Sequence, residues 1–264
     1  MSSAKANSDL PLRLVSALVL GTLVLAVTWA GGTYFRVLMG IAALLIFREW
    51  STITQVNQGS AFKLSSWLFV LLGGSAIMFG RFDEALLICA VGAFALGVLG
   101  FVAKGKLWAA GGVVYALLPA IALSQVRDAQ HGLMVIFWIF IIVWGSDIGA
   151  YFAGRAIGGP KLAPTISPKK TWSGFLGGLI TAIVGTVIWL QFFDFDRPEI
   201  ALLIAGVTSI FSQLGDLFES WVKRHFNVKD SGQLIPGHGG IMDRVDGLIV
   251  AAVAFYLLML VGVI

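Results

Sequence analysis

Residues 133–153 read Leu133-Met-Val-Ile-Phe-Trp-Ile-Phe-Ile-Ile-Val-Trp-Gly-Ser-Asp147-Ile-Gly-Ala-Tyr151-Phe-Ala153. The run is apolar without a break as far as Trp144, and a helix needs about 20 such residues to cross the hydrocarbon core. A transmembrane strand would instead alternate apolar and polar residues over segments of about 10. Further stretches that meet or approach the spanning length lie near 14–31, 34–54, 64–80, 84–103, 107–125, 174–193, 200–219 and 246–264. The reading is an all-α polytopic membrane protein with about nine transmembrane helices.

Composition agrees. Of 264 residues, 58% are apolar without counting glycine and only 12% are charged, where a soluble domain carries about 25% charged. The mean hydropathy is +0.91. This excludes a soluble enzyme, a disordered chain and a secreted disulfide scaffold. Cys89 is the single cysteine and sits in an apolar run, so no disulfide framework and no cysteine-based zinc site is expected. The N-terminus, with Lys5 and Arg13 ahead of Leu14, has the look of a signal peptide. The long run and the spans that follow at once make it a retained first helix instead.

A net charge of +4 records topology here, not a nucleic-acid partner, because cytoplasmic loops collect Lys and Arg. Alternating nine spans from a cytoplasmic N-terminus places Lys5, Arg13, Arg48, Lys63, Lys104, Lys106, Arg155, Lys161, Lys169, Lys170, Lys223, Arg224, Lys229 and Arg244 inside. Only Arg36, Arg81, Arg127 and Arg197 fall outside, a split of 14 to 4 that sets the C-terminus on the external side. Paired glycines such as Gly73-Gly74, Gly111-Gly112 and Gly177-Gly178 are expected where helices meet closely in lipid.

Polar residues are unevenly spread. Segments 144–172 and 216–246 hold 14 of the 32 charged residues and two of the three histidines, and both fall on the cytoplasmic side. The expected organisation is one integrated membrane domain. Residues 1–132 form a scaffold of five spans without site residues. Residues 133–264 form a catalytic region with cytoplasmic loops 154–173 and 220–245.

Within that region, Asp147, Tyr151 and Arg155 are spaced by four and share a helix face. They read either as an Asp–Arg pair at a helix end or as an intramembrane acid with a function, since such an acid costs about 2.5–3.5 kcal/mol on insertion scales. Gly158-Gly159-Pro160-Lys161 and Ser167-Pro168-Lys169-Lys170-Thr171 read as a phosphate-binding loop, with freed backbone N–H groups beside flexible ammonium groups. Ser209, Ser212, Gln213, Asp216, Glu219, Ser220 and Lys223 recur three or four apart. This polar stripe must face protein or a wet cavity.

The densest stretch is Ser220 to Asp246. Lys223, Arg224, Lys229 and Arg244 are a cationic cluster for phosphate. Gly237-His238-Gly239-Gly240 is a turn that lets backbone approach a ligand. Asp243 and Asp246, three apart, can point to one side, and with Asp216 they offer the hard oxygens that Mg²⁺ takes along with substrate phosphates.

This stretch reads Ser-x-x-Lys-Arg, four residues, Lys-Asp, a short spacer, then His-Gly-Gly-x-x-Asp-Arg-x-Asp. In it the chain resembles the bacterial phosphatidate cytidylyltransferases, or CDP-diacylglycerol synthases. Asp147, Tyr151 and Gly154, Ser167-Pro168-x-Lys170-Thr171, and Gly215-Asp216 extend the resemblance over about residues 140–264. Ser173 departs from it, standing where many relatives carry Glu or Gln.

The resemblance implies that CTP and phosphatidic acid, the latter from the inner leaflet, give CDP-diacylglycerol and pyrophosphate. It implies Asp216, Asp243, Asp246, Lys223 and Arg244 as catalytic groups, with Mg²⁺ on Asp216 and Asp243. Substrate would be held by Asp147, Tyr151, Ser167, Lys169, Lys170, Ser220, Arg224, Lys229, His238, Gly239 and Gly240. Residence would be the bacterial inner membrane, with a homodimer left open. A CTP-dependent prenol kinase and a cation-coupled transporter are the alternatives.

Overall fold

The computed structural model describes residues 3–56, 60–102, 107–193, 195–235 and 239–261, apart from the side chains of 3–14 and 60–61. The described residues contain nine helices: α1 (Ser3–Ala30), α2 (Gly32–Ile53), α3 (Ser60–Met78), α4 (Phe82–Val102), α5 (Trp108–Asp128), α6 (Gly132–Ile157), α7 (Trp172–Trp189), α8 (Pro198–His225) and α9 (Met242–Leu260). Each overlaps one of the nine apolar stretches. Five of them, α4 to α8, are long and apolar enough to cross a membrane; Val15–Ala30 and Phe62–Met78 are shorter apolar helical pieces. The chain is an α-helical, multi-pass membrane protein. Lipid offers the backbone no hydrogen-bond partner, so helices that satisfy themselves internally are the solution such apolar runs permit.

One element was not expected. Residues 161–171 hold a two-stranded antiparallel hairpin, β1 (Lys161–Ala163) and β2 (Ser167–Thr171), with Lys161 opposite Thr171 and Ala163 opposite Ser167. The segment read as a phosphate-binding loop is therefore ordered by its own ladder. Gly158 and Gly159, at φ +65° and +96°, carry the chain out of α6 through a region that side chains resist. Thr171 then caps α7, its hydroxyl accepting from the Gly174 N–H at 3.1 Å.

The chain divides into two compact units, one of Met1–Ala129 with Val228–Arg244 and one of Gln130–Asn227 with Val245–Ile264. In the first, α5 is the hub against which α2, α3 and α4 pack. Gly112 leaves room on it for Trp50, whose indole N–H donates to the Trp108 carbonyl at 2.8 Å. Arg127 closes the α1–α2 turn by donating to the carbonyls of Thr28 and Trp29 at 2.7 and 3.1 Å.

In the second unit α6 and α7 make the most extensive helix pair, and α8 lies against both. Trp138 and Thr186 join α6 and α7 through a buried 3.0 Å hydrogen bond. The pair can approach because its crossing is lined by glycine. A Cβ at Gly149 would sit 2.7 Å from the Gly177 carbonyl oxygen, and one at Gly177 would sit 3.0 Å from that of Gly149. Outward faces carry bare apolar side chains such as Phe94, Ile180 and Leu203, the surface that lipid tails cover.

Gly149→Leu should therefore force α6 and α7 apart. Overpacking of this kind costs about 1–3 kcal/mol and should lower the melting temperature of the detergent-solubilised protein. An unchanged melting temperature would mean that the glycine crossing is not what holds the pair together.

Candidate active site

The polar stripe of α8 faces protein. Ser209, Ser212, Gln213 and Glu219 are buried. The Ser209 hydroxyl lies 2.8 Å from that of Ser146 on α6, and the Gln213 amide donates to the Phe175 carbonyl of α7 at 3.2 Å. The stripe is thus an interhelical network over its inner part and changes character toward the C-terminal end of α8.

There Asp216 meets a cation from the hairpin. Lys170, on β2, places Nζ 2.5 Å from Asp216 Oδ2, with both side chains partly exposed. The Ser220 hydroxyl, one turn on, lies 3.4 Å from Asp216 Oδ1. Asp216 acts electrostatically on both Asp147 and Asp246; Lys170 acts on Asp147 and Lys223 on Asp246. Gly215 permits this closeness, since a Cβ there would sit 2.7 Å from the Asp246 carbonyl oxygen. The backbones of α8 and α9 meet at that point. Three carboxylates and a lysine from α6, β2, α8 and α9 therefore converge in the second unit.

The other expected residues of this unit are placed as follows. Arg155 donates to the Tyr151 hydroxyl at 2.8 Å and makes no ion pair with Asp147. The simple neutralised Asp–Arg pair is thereby set aside: a guanidinium reaches a neighbour four residues away, and Tyr151 occupies that position. Lys223 bonds the wholly buried Glu219 at 2.9 Å. Ser167 and Lys169 lie on β2, and Lys169 and Arg224 are exposed. Ser173 donates to the Gly158 carbonyl and lies 3.0 Å from the Thr171 hydroxyl. This side chain thus ties the start of α7 to the end of α6.

In the first unit the signature folds around a residue that the sequence reading passed over. Glu49, on α2, is 6% exposed. Its Oε1 accepts from the Ile241 N–H at 2.9 Å, and its Oε2 accepts from the Met242 N–H at 2.8 Å and the Ser231 hydroxyl at 2.9 Å. Asp243 closes the same knot, its Oδ2 accepting from the Ser231 N–H at 2.8 Å and the Gly240 N–H at 3.0 Å and lying 2.8 Å from the Ser231 hydroxyl, which can serve either carboxylate.

Gly239, at φ +86°, occupies backbone space that other residues resist, and its carbonyl accepts from the Ile235 N–H at 2.9 Å. A Cβ on Gly240 would strike the Ser231 hydroxyl and the Glu49 carboxylate. Lys229 and Arg244 are exposed. His238 lies outside the described residues, as do Lys104 and Lys106 of the charge count, along with the side chains of Lys5 and Arg13. Treating the first five apolar stretches as free of site residues missed Glu49. The available signal was an acid beside Arg48 at the end of an apolar stretch, the same kind of signal that marked Asp147.

Among the described residues no three Asp, Glu, His or Cys side chains form a metal cage. The carboxylates near Asp216 stand in electrostatic reach of one another without forming a cage, which suits Mg²⁺, an ion that takes one or two carboxylates along with phosphates and water.

The profile of the cytidylyltransferase family matches residues 11–261. A phosphatidate cytidylyltransferase of Brucella suis biovar 1 is 41% identical over 255 residues, 95% of this chain and 93% of that protein. One from Haemophilus influenzae is 37% identical over 277 aligned positions, 92% of this chain and 96% of that protein. One from Bacillus subtilis is 46% identical over 131 residues, 49% of each chain. Transmembrane helices, a cationic hairpin at a carboxylate cluster and a signature folded about Asp243 all stand within the matched span. The chain belongs to the cytidylyltransferase family.

Proposed function

We propose that the protein is a phosphatidate cytidylyltransferase, joining the cytidylyl group of CTP to phosphatidic acid and releasing pyrophosphate. The observation that carries this reading is the approach of Lys170 to Asp216, with Asp147 and Asp246 in electrostatic reach. It supplies both a cation for phosphate and carboxylates for a divalent ion at the end of a polar helix.

The chemistry needs no activated nucleophile. Phosphatidate is already an anion, and one of its phosphate oxygens attacks the α-phosphorus of CTP. A new P–O bond forms and the bond to pyrophosphate breaks. The difficulty lies in bringing two anions together and stabilising charge on the leaving group, which positioning and fixed cations accomplish. We assign Lys223, Arg224, Lys229 and Arg244 to the phosphates. Ser167, Lys169 and Lys170 close over the nucleotide, while Asp147, Tyr151, Ser220, His238, Gly239 and Gly240 line the substrates. Asp246 supports Asp216 and Asp243 or orients Arg244. Bound Mg²⁺, for which Asp216 and Asp243 are the assigned ligands, would offset phosphate charge. The prenol kinase and transporter readings draw no support from the relatives.

The same reading sets the protein in the bacterial inner membrane with nine crossings, the N-terminus cytoplasmic and the C-terminus external. The support is the distribution of basic residues. Phosphatidate would enter from the inner leaflet, and a homodimer is compatible with the reaction.

Three outcomes test this. Asp216→Asn and Lys170→Ala should each cut CDP-diacylglycerol formation by about 10²–10³-fold, the scale of losing one charge-stabilising group; well-folded variants with full activity would overturn the assignments. Chelation by EDTA should abolish turnover and added Mg²⁺ should restore it, so activity that persists in chelator would remove the metal from the account. On a Cys89→Ser background, Arg197→Cys should react with an impermeant maleimide in spheroplasts and Lys161→Cys only after lysis. The reverse pattern would overturn the orientation.

A further inference from the structure

We propose that Glu49 is a positioning residue, which holds Ser231, residues 240–241 and the first turn of α9 in the one arrangement that presents Asp243. The proposal rests on the cytidylyltransferase reading above and adds to it a residue from the second helix, 194 positions ahead of the aspartate it serves.

Glu49 gives both carboxylate oxygens to this task. Ile241 and Met242 donate their backbone N–H groups at 2.9 and 2.8 Å, and Met242 opens α9. The first N–H groups of a helix have no partner within the helix, and a carboxylate there also meets the positive end of the helix dipole. Glu49 thus caps α9 from another element. Few alternatives exist for those donors, because the site is buried and an orphaned buried N–H is costly.

The third contact links Glu49 to Asp243. The Ser231 hydroxyl lies 2.9 Å from Glu49 Oε2 and 2.8 Å from Asp243 Oδ2, and its oxygen accepts from the Asp243 N–H at 3.3 Å. A serine has one proton to donate, so it serves one carboxylate at a time. Fixing the Glu49 oxygen therefore decides where the serine, and with it Asp243 Oδ2, can settle.

The glycines of the signature fit the same account. Gly239 takes a positive φ beside Asp243, and Gly240 leaves room for the Glu49 carboxylate itself, since any side chain there would occupy the place of Oε2. The second glycine of the motif is thus explained by a residue that lies outside the motif.

The experiment compares wild type, Glu49→Gln, Ser231→Ala and the double variant, each as the full chain in detergent. It combines steady-state turnover of CTP and phosphatidate with amide hydrogen exchange. Glu49→Gln keeps the shape but turns a donor toward two donors. It should speed exchange at Ile241 and Met242 by about tenfold or more, while α5 stays protected. It should lower kcat by about 10–100-fold, as loss of a partner that orients a working group does, and leave both KM values within about threefold.

The double variant should be no worse than the worse single variant, because both act through one network. Ser231→Ala removes only a hydroxyl and carries the same test if Glu49→Gln does not fold. Unchanged kcat in folded Glu49→Gln, exchange accelerated throughout the chain, or losses that multiply in the double variant would each overturn the proposal. If wild type makes no CDP-diacylglycerol, the functional reading falls, while exchange at Ile241 and Met242 still decides whether Glu49 holds the segment.

Discussion

A charged or hydrogen-bonding group cannot remain alone in hydrocarbon, and this constraint organises the chain. With 12% of its residues charged, the protein has few charged groups, and several of those at its helix ends are held by partners. Asp216 takes Lys170, Glu219 takes Lys223, and Glu49 takes two backbone N–H groups and a hydroxyl. Ser209 and Gln213 of α8 turn toward α6 and α7 for the same reason. An acid that must find partners in such surroundings also fixes whatever those partners belong to.

The two units use this in different ways. In the second, the partner of Asp216 is a side chain on a hairpin, and an ammonium group on a flexible stem can leave one anion for another. In the first, the partners of Glu49 and Asp243 are mostly backbone N–H groups, which cannot leave without refolding the loop. One arrangement suits a group that exchanges partners with substrate; the other suits a frame. Glycine serves both, through backbone approach at Gly215 and clearance at Gly240.

Much of this was legible in the sequence. The apolar runs overlap all nine helices among the described residues, because a long apolar helix is a continuous signal. The three-and-four spacing of Ser209 to Lys223 required a protein-facing stripe, and its inner part is one. The signature located the loop around Asp243. Three things were not legible. The hairpin at 161–171 is too short to show a period and contains two prolines, so it read as a loop. The partner of Arg155 was misread because opposite charge was weighed above reach: Tyr151 stands one turn away and Asp147 two. Glu49 was passed over because its partners are backbone groups nearly 200 residues away, which leave no pattern of side chains near Glu49 itself.

The central claim is that the cytidylyl group, not a terminal phosphate, reaches the lipid. Purified protein incubated with phosphatidate and CTP labelled either at the α- or at the γ-phosphate decides it. The α-label should enter the organic phase as CDP-diacylglycerol and the γ-label should stay in water as pyrophosphate. Lipid that carries γ-label, or that carries no label at all, would contradict it.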